Sequence, residues 1–141
     1  MEQTLPTQIE LRVVTPERPA VSETVNSVSL PGKDGRLGIL PGHAPLVSEL
    51  AAGVPFFEQN GRTQYLAVST GFAEVLQGKV TALVQTAERA EDINVERAEA
   101  ARREAEEKLK ASGDSTGDSA AAQAALAWAK AQVEAAGQGR A

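Results

Sequence analysis

The stretch LGILPGHAPLV, residues 37–47, holds His43, the only histidine in the chain. Imidazole titrates near neutral pH, so it is the side chain best suited to general acid–base work or to holding a metal ion. Each role needs company. A base acting on a nucleophile needs a hydroxyl aimed at the ring and an acid behind it. Ser48 and Glu49 follow in the sequence, but such arrangements are recognised by geometry and not by proximity along the chain. A metal needs several clustered ligands, and Asp34 and Glu49 are the only acids near. Cysteine is absent, which removes thiolate chemistry and sulfur-ligated metals. The segment GKDGRLG spaces Gly32, Gly35 and Gly38 like a phosphate cradle, yet no helix N-terminus follows to supply a dipole, so a Lys-Asp-Gly hairpin turn explains it better. No GxxxxGK[ST], HExxH, GxSxG or GxGxxG string occurs. His43 therefore reads as part of a stiff turn. Pro41 and Pro45 bracket it and lower the entropy lost when the loop is ordered against a partner.

The elements around that turn alternate. Ile9, Leu11 and Val13 share one face of an extended segment, as do Val54 with Phe56 and Leu66 with Val68. Phe72, Glu74 and Leu76 oppose Ala73 and Val75, while Val80, Ala82 and Val84 share a face. Period two means strands. Asp34-Gly35, Asn60-Gly61, Thr70-Gly71 and Gln77-Gly78 break them, and such pairs supply the positive φ that tight hairpin turns need. All seven prolines lie before residue 56, at strand ends or in loops, and forbid a long helix there. An all-β sandwich over residues 1–86 is expected.

After Thr86 the character changes. Residues 87–111 contain no Gly or Pro and are rich in Ala, Glu, Arg and Lys, all strong helix formers. Asp92 is the expected N-cap, and Glu99–Arg103 and Glu104–Lys108 have the i, i+4 order that supports a helix. Ser112-Gly113 ends it, 113–119 is a flexible turn, and 120–136 is a second helix. The fold class is thus an N-terminal all-β sandwich followed by a C-terminal antiparallel two-helix hairpin, residues 87–141. The first helix carries a stripe of Ala98, Ala101, Ala105 and Leu109. The second carries Ala122, Leu126, Ala129, Val133 and Ala136 on one side. Trp128 points about 200° from Leu126, towards Ala121, Ala125 and Gln132. Alanine seams bury little area, at about 25 cal/mol per Å². Two outcomes stay open: a hairpin that docks weakly and detaches, or a stable pair resting on the sheet.

Composition excludes several roles. The 141 residues carry a net charge of −5, which argues against nucleic acid, because phosphate binding needs a basic stripe. No apolar run approaches about 20 residues, so no membrane insertion is expected. MEQTLPTQIEL has neither a basic n-region nor an apolar h-region, so a cytoplasmic-side protein is expected. A small hydrolase using His43 and a free-standing adaptor with a helical tail are the competing functional classes.

Three strings carry a resemblance: GRLGILPGHAPLV (35–47), AVSTGFAEVLQGKVTALVQTA (67–87) and DINVERAEAARREAEEKL (92–109). Together they resemble the epsilon subunit of bacterial F-type ATP synthases. The resemblance runs from Leu11 to about Ala136, and Gly35 to Leu46 is its most specific part. It implies a non-catalytic connector in the central stalk that turns with the gamma subunit and the c-ring as protons cross the membrane. The assembly would lie on the cytoplasmic face of the bacterial plasma membrane. It implies that the turn at Asp34, Gly35 and Arg36 and the loop around His43, from Pro41 to Pro45, lie at the end of the sandwich facing the c-ring. It also implies that the C-terminal helices can extend, meet the alpha and beta catalytic subunits and block rotation.

The chain departs from the family in the hairpin. Members that bind ATP there open the first helix as I/L-D-x-x-R-A and carry basic residues on the second helix. Here the string is Ile93-Asn94-Val95-Glu96-Arg97-Ala98, with Asn94 in place of the acid, and Lys130 is the only basic residue of the second helix before Arg140. A nucleotide triphosphate needs several donors, so Ile93, Asn94, Arg97, Ala98 and Lys130 form a thin ATP site. No other cofactor is expected. The same shortage of positive charge predicts weak inhibition by the hairpin or none.

Overall fold

The computed structural model describes residues 7–112 and 116–139. The alternating half forms strands where the apolar residues recur every second position. They are β1 (Ile9–Val14), β2 (Pro19–Val25), β3 (Ser27–Gly32), β4 (Gly35–Ile39), β5 (Leu46–Leu50), β6 (Phe56–Gln59), β7 (Arg62–Val68), β8 (Gly71–Leu76) and β9 (Lys79–Val84). A short β10 (Ala87–Arg89) pairs antiparallel with β7, so pairing runs past Thr86. The hydrogen-bonded order is β10-β7-β6-β3-β5-β8-β9-β1-β2, and β4 pairs with β3 off this path. All ladders are antiparallel except β1 with β9.

The sheet folds over on itself to give two layers. One core joins Leu11 and Val13 of β1, Leu30 of β3, Phe57 of β6, Leu66 of β7, Val75 of β8 and Val80 of β9. Burying each such side chain contributes about 1.5–3 kcal/mol. The expected alternations hold, and the structure adds which side of β6 enters the core. Phe57, not Phe56, points into the core, because β6 starts after Pro55 and takes its register from Ser29↔Phe56 and Val28↔Phe57 on β3. Polar side chains close the open side. Gln59 Nε2 donates to the Thr24 carbonyl at 2.9 Å, and the Asn60 amide donates to Asn26 Oδ1 at 3.0 Å.

Asn60 and Gly61 have φ of 53° and 80° and make the tight β6–β7 turn that their identities predict. Thr70-Gly71 works differently. Gly71 starts β8, and a Cβ there would sit 2.0 Å from the Leu83 carbonyl oxygen. This glycine permits a close approach of β9 and makes no positive-φ turn.

A 3-10 turn (Ala90–Asp92) leads into α1 (Val95–Ser112), and α2 is Thr116–Gly139. The N-cap is Asn94 and not Asp92: Asn94 Oδ1 accepts from the Arg97 amide at 3.0 Å, while Asp92 belongs to the 3-10 turn. The second helix is longer than the expected 120–136, because 116–119 are helical; 113–115 lie outside the described residues. Glu99 pairs with Arg102 at 2.7 Å and not with Arg103, whereas Lys108–Glu104 forms at 3.3 Å. Ala101 is exposed. The inner stripe of α1 runs Ala98, Arg102, Ala105, Leu109, and half-buried Arg102 keeps its charge solvated through Glu99 and Glu106.

The helices rest on the sheet as an antiparallel pair. A second apolar cluster joins Ala90, Ile93 and Ala98 to Ala131, Ala135 and Ala136 of α2 and to Val54 and Ala67 below. Tyr65 and Trp128 pack against it, half-buried. Trp128 therefore packs in the cluster that holds Ala131, Ala135 and Ala136, while Ala122 and Ala129 are buried outside it. Gln132 Nε2 donates to Glu88 Oε1 at 2.8 Å and ties α2 to β10. A Cβ on Gly139 would come within 2.7 Å of the Ala90 Cβ, so glycine lets α2 end flat on the 3-10 turn. At about 1.5 Å per residue, the 24 residues of α2 outrun the seven of β7, which span about 24 Å. Ala121 and Ala125, on the Trp128 side, are exposed for that reason. Among the described residues no helix is long and apolar enough to cross a membrane.

Candidate functional site

The outer face of β5, β8, β9 and β1 is where the sandwich presents apolar surface. Strand register lines its side chains up in rows. The first row is Glu49, Phe72, Leu83 and Val14; the second is Val47, Glu74, Thr81 and Arg12; the third is Leu76, Lys79 and Glu10. Val47 is 69% exposed, Phe72 and Leu83 each 55%. Single exposed hydrophobics are ordinary, but neighbouring ones on one sheet face mark a contact surface. The first row continues into an open groove of about 940 Å³, bordered by Pro16, Lys33, Thr70 and, from the overhanging helix, Ala127. Across its rim Lys33 Nζ lies 3.0 Å from Glu49 Oε2. The hydrogen bond to Glu49, aided by its charge, raises the Lys33 ammonium above the ordinary lysine value.

Sequence reasoning missed Val47 and Leu83 as surface residues. Leu83 lies between Ala82 and Val84, in a run apolar at every position, and such a run carries no mark of which residues face out. Leu40, 65% exposed beside Pro41, was missed for the same reason.

His43 is held locally. Its amide donates to the Leu40 carbonyl at 3.1 Å, and its Nδ1 lies 2.7 Å from the Ala44 carbonyl oxygen. A carbonyl only accepts, so Nδ1 carries a proton in this contact. The cleft beside it is lined by Ile9, Ile39, Leu40, Val75, Leu76 and Lys79 among others, with no carboxylate and no hydroxyl. Ser48 Oγ donates to the Glu49 carbonyl at 3.1 Å. His43 thus has neither the nucleophile nor the acid that a general base requires. Among the described residues no group of three or more His, Asp or Glu could hold a metal.

The four expected docking residues do not lie together. Asp34 precedes β4, Gly35 opens it and His43 follows it, so the strand's five residues, about 17 Å, run between the turn at Asp34 and the loop at His43. The β3–β4 turn sits by Glu49, whose carbonyl takes the Lys33 amide, while His43 sits by the β8–β9 turn. Arg36 turns inward. It donates to Ser29 Oγ at 2.8 Å and to the Val54 carbonyl at 2.9 Å.

In the hairpin the expected ATP residues also separate. Ile93 and Ala98 are buried in the second cluster, and the Asn94 side chain is committed to capping α1. Arg97 and Lys130 are the exposed cations left from that set.

Residues 8–90 match the family described as ATP synthase, Delta/Epsilon chain, beta-sandwich domain, and residues 91–137 match its long alpha-helix domain. Among curated relatives, the ATP synthase epsilon chain of Nitratidesulfovibrio vulgaris is 45% identical over 125 residues, 89% of this chain and 92% of that one. The epsilon chain of Koribacter versatilis is 49% identical over 104 residues, 74% and 73% of the two chains, and that of Bacillus subtilis is 44% identical over 108 residues, 77% and 82%. Among solved structures, a chain of the Euglena gracilis mitochondrial ATP synthase (OSCP/F1/c-ring, rotational state 1) superposes with a TM-score of 0.80 at 27% identity, over 96% of this chain and 85% of that one. With sandwich, hairpin and both halves of the match in agreement, the chain belongs to the ATP synthase delta/epsilon family, as a non-catalytic subunit of that machine's central stalk.

Proposed function

We propose that this subunit couples rotation of a c-ring to a gamma subunit through its sandwich, while its hairpin brakes hydrolysis weakly or not at all. The observation that carries the first part is the set of exposed Phe72, Leu83 and Val47, in neighbouring rows of one sheet face. Burial of apolar surface drives most association, and a rotor joint must hold under torque. The gamma subunit is the proposed occupant of that face. The two loops, at Asp34–Gly35 and at His43, are proposed c-ring contacts at different points of the surface, with Arg36 shaping the first from within. The proposed setting is peripheral, at the cytoplasmic face of a bacterial plasma membrane.

The second part rests on charge. Lys130 and Glu134 lie one turn apart on α2, and the described helix is otherwise short of cations, so it offers the alpha and beta subunits little electrostatic grip. Arg97 and Lys130 alone hold a triphosphate weakly. The test is reconstitution with the gamma subunit and the catalytic head. Phe72→Asp should abolish incorporation, and unchanged incorporation would refute the sheet-face reading. ATP hydrolysis should proceed equally with the full chain and with one ending at Asp92; faster hydrolysis with the shortened chain would show a working brake. The shorter form must keep β10, since Ala87–Arg89 complete the ladder on β7.

A further inference from the structure

Arg36 has no obvious reason to point inward. It stands on β4, an edge strand held by β3 alone, and the residue is exposed overall. Yet its side chain crosses β3 to reach the strand beyond. One guanidinium nitrogen donates to Ser29 Oγ at 2.8 Å, another to the Val54 carbonyl at 2.9 Å. Its central carbon lies 5.1 Å from the centre of the Phe56 ring, within cation–π range. Phe56 and its register partner Tyr65 are 5.7 Å apart, centre to centre, at a tilt of 47°. Tyr65 and Val54 belong to the apolar cluster beneath α2, where Trp128 also packs. Contacts thus run without a gap from the β3–β4 turn, through Arg36, Phe56 and Tyr65, to the helical hairpin.

We propose that Arg36 is a positioning residue that couples the β3–β4 turn to the docking of the helical hairpin. With β4 in place, the guanidinium satisfies the Val54 carbonyl and presses Phe56 against Tyr65, which completes the floor under α2. With β4 displaced, the carbonyl loses a charged donor and the aromatic pair loses its lid, so the floor loosens. A buried acceptor left without its donor is costly, and the hairpin seam is small enough to feel it. Coupling is reciprocal: undocking the hairpin must loosen the turn by the same free energy. This is a property of the chain alone, so its failure leaves the stalk role untouched.

The experiment is native-state hydrogen exchange on the full chain, with Trp128 fluorescence as a second reading of docking. Arg36→Met, which keeps the aliphatic stem, should speed exchange of α2 amides about 10-fold or more, while amides of β1 and β9 keep their protection. Arg36→Lys, with charge but no fork, should fall between. Trp128→Ala should speed exchange of the Gly35–Leu37 amides in the natural background but not beside Arg36→Met. If α2 exchange is unchanged by Arg36→Met, or rises only in step with β1 and β9, the proposal fails. It also fails if Trp128→Ala affects the turn equally in both backgrounds. Should Arg36→Met not fold, the Arg36→Lys and Trp128→Ala comparisons still decide.

Discussion

The two apolar clusters of this chain are built from different materials. The sandwich core interlocks Leu11, Leu30, Phe57, Leu66 and a set of valines drawn from β1 to β9. The hairpin cluster is mostly alanine, with Ile93, Val54 and four half-buried larger side chains at its margin. Large interdigitated side chains forfeit many contacts at once when separated; alanines forfeit few. The same chain therefore holds a rigid body and a lightly seated appendage. The appendage relies on directed contacts, Gln132 with Glu88 and Gly139 against Ala90, more than on buried volume. A region seated this way opens locally at lower free energy than the body beneath it.

That contrast can be broken from either side. The largest effect is expected in the core: Leu30→Ala removes a fully buried side chain and should cost about 2–5 kcal/mol in global unfolding, read by denaturant titration. Both regions should then melt together. Next is Gly139→Val, which forces a side chain onto Ala90 and should cost about 1–3 kcal/mol of hairpin docking. Helix amides should exchange faster while the denaturation midpoint of the sandwich stays put; a common shift would mean the two regions are one cooperative unit.

Asn94→Ala removes the α1 cap and should cost about 1 kcal/mol, seen as fraying of the first turn of α1, whereas Asn94→Asp should keep the cap. Smallest is the Lys33–Glu49 pair. Its lysine is raised in the folded chain, so the stability it adds is present below the ordinary lysine value and is lost as pH rises through the raised one. The pair is exposed, so Lys33→Met should flatten a shallow decline above pH 10.5 and change little at neutral pH.

Much of this was legible in the residues. The alternation of Ile9, Leu11 and Val13, or of Val80, Ala82 and Val84, names the inward face directly, because a strand's side chains alternate strictly. Asn60-Gly61 names its turn, because few residues tolerate positive φ. The alanine-rich tail names helices. Other features were illegible for definite reasons. Which of Phe56 and Phe57 enters the sandwich core was not marked, since the two are equally apolar and only pairing with β3 chooses between them. The cap at Asn94 competed with Asp92, and the chain path out of the 3-10 turn decided it.

The candidate site was less legible than the fold. The proline-bracketed neighbours of His43 mark it as a turn residue, and its hydrogen bonds to Leu40 and Ala44 are local. Phe72, Glu74 and Leu76 oppose Ala73 and Val75 by spacing alone, but which side faces out, and the meeting with Leu83 and Val47 in neighbouring rows, depends on register between strands.

By itself the sequence determined the local items: a β half and an α half, the turns, the shortage of cations on the second helix, and family membership through the string from Gly35 to Leu46. Each depends on residue type and spacing along the chain. Only the tertiary structure decided what depends on distant segments meeting. It put the two expected docking loops at opposite ends of β4, and it turned Arg36 onto Val54 and Phe56. It seated Trp128 in the cluster that joins α2 to Ala67 and set the overhang of α2 beyond β7. Spacing gives a side chain its face; which surface lies opposite that face is settled by packing between residues far apart in sequence.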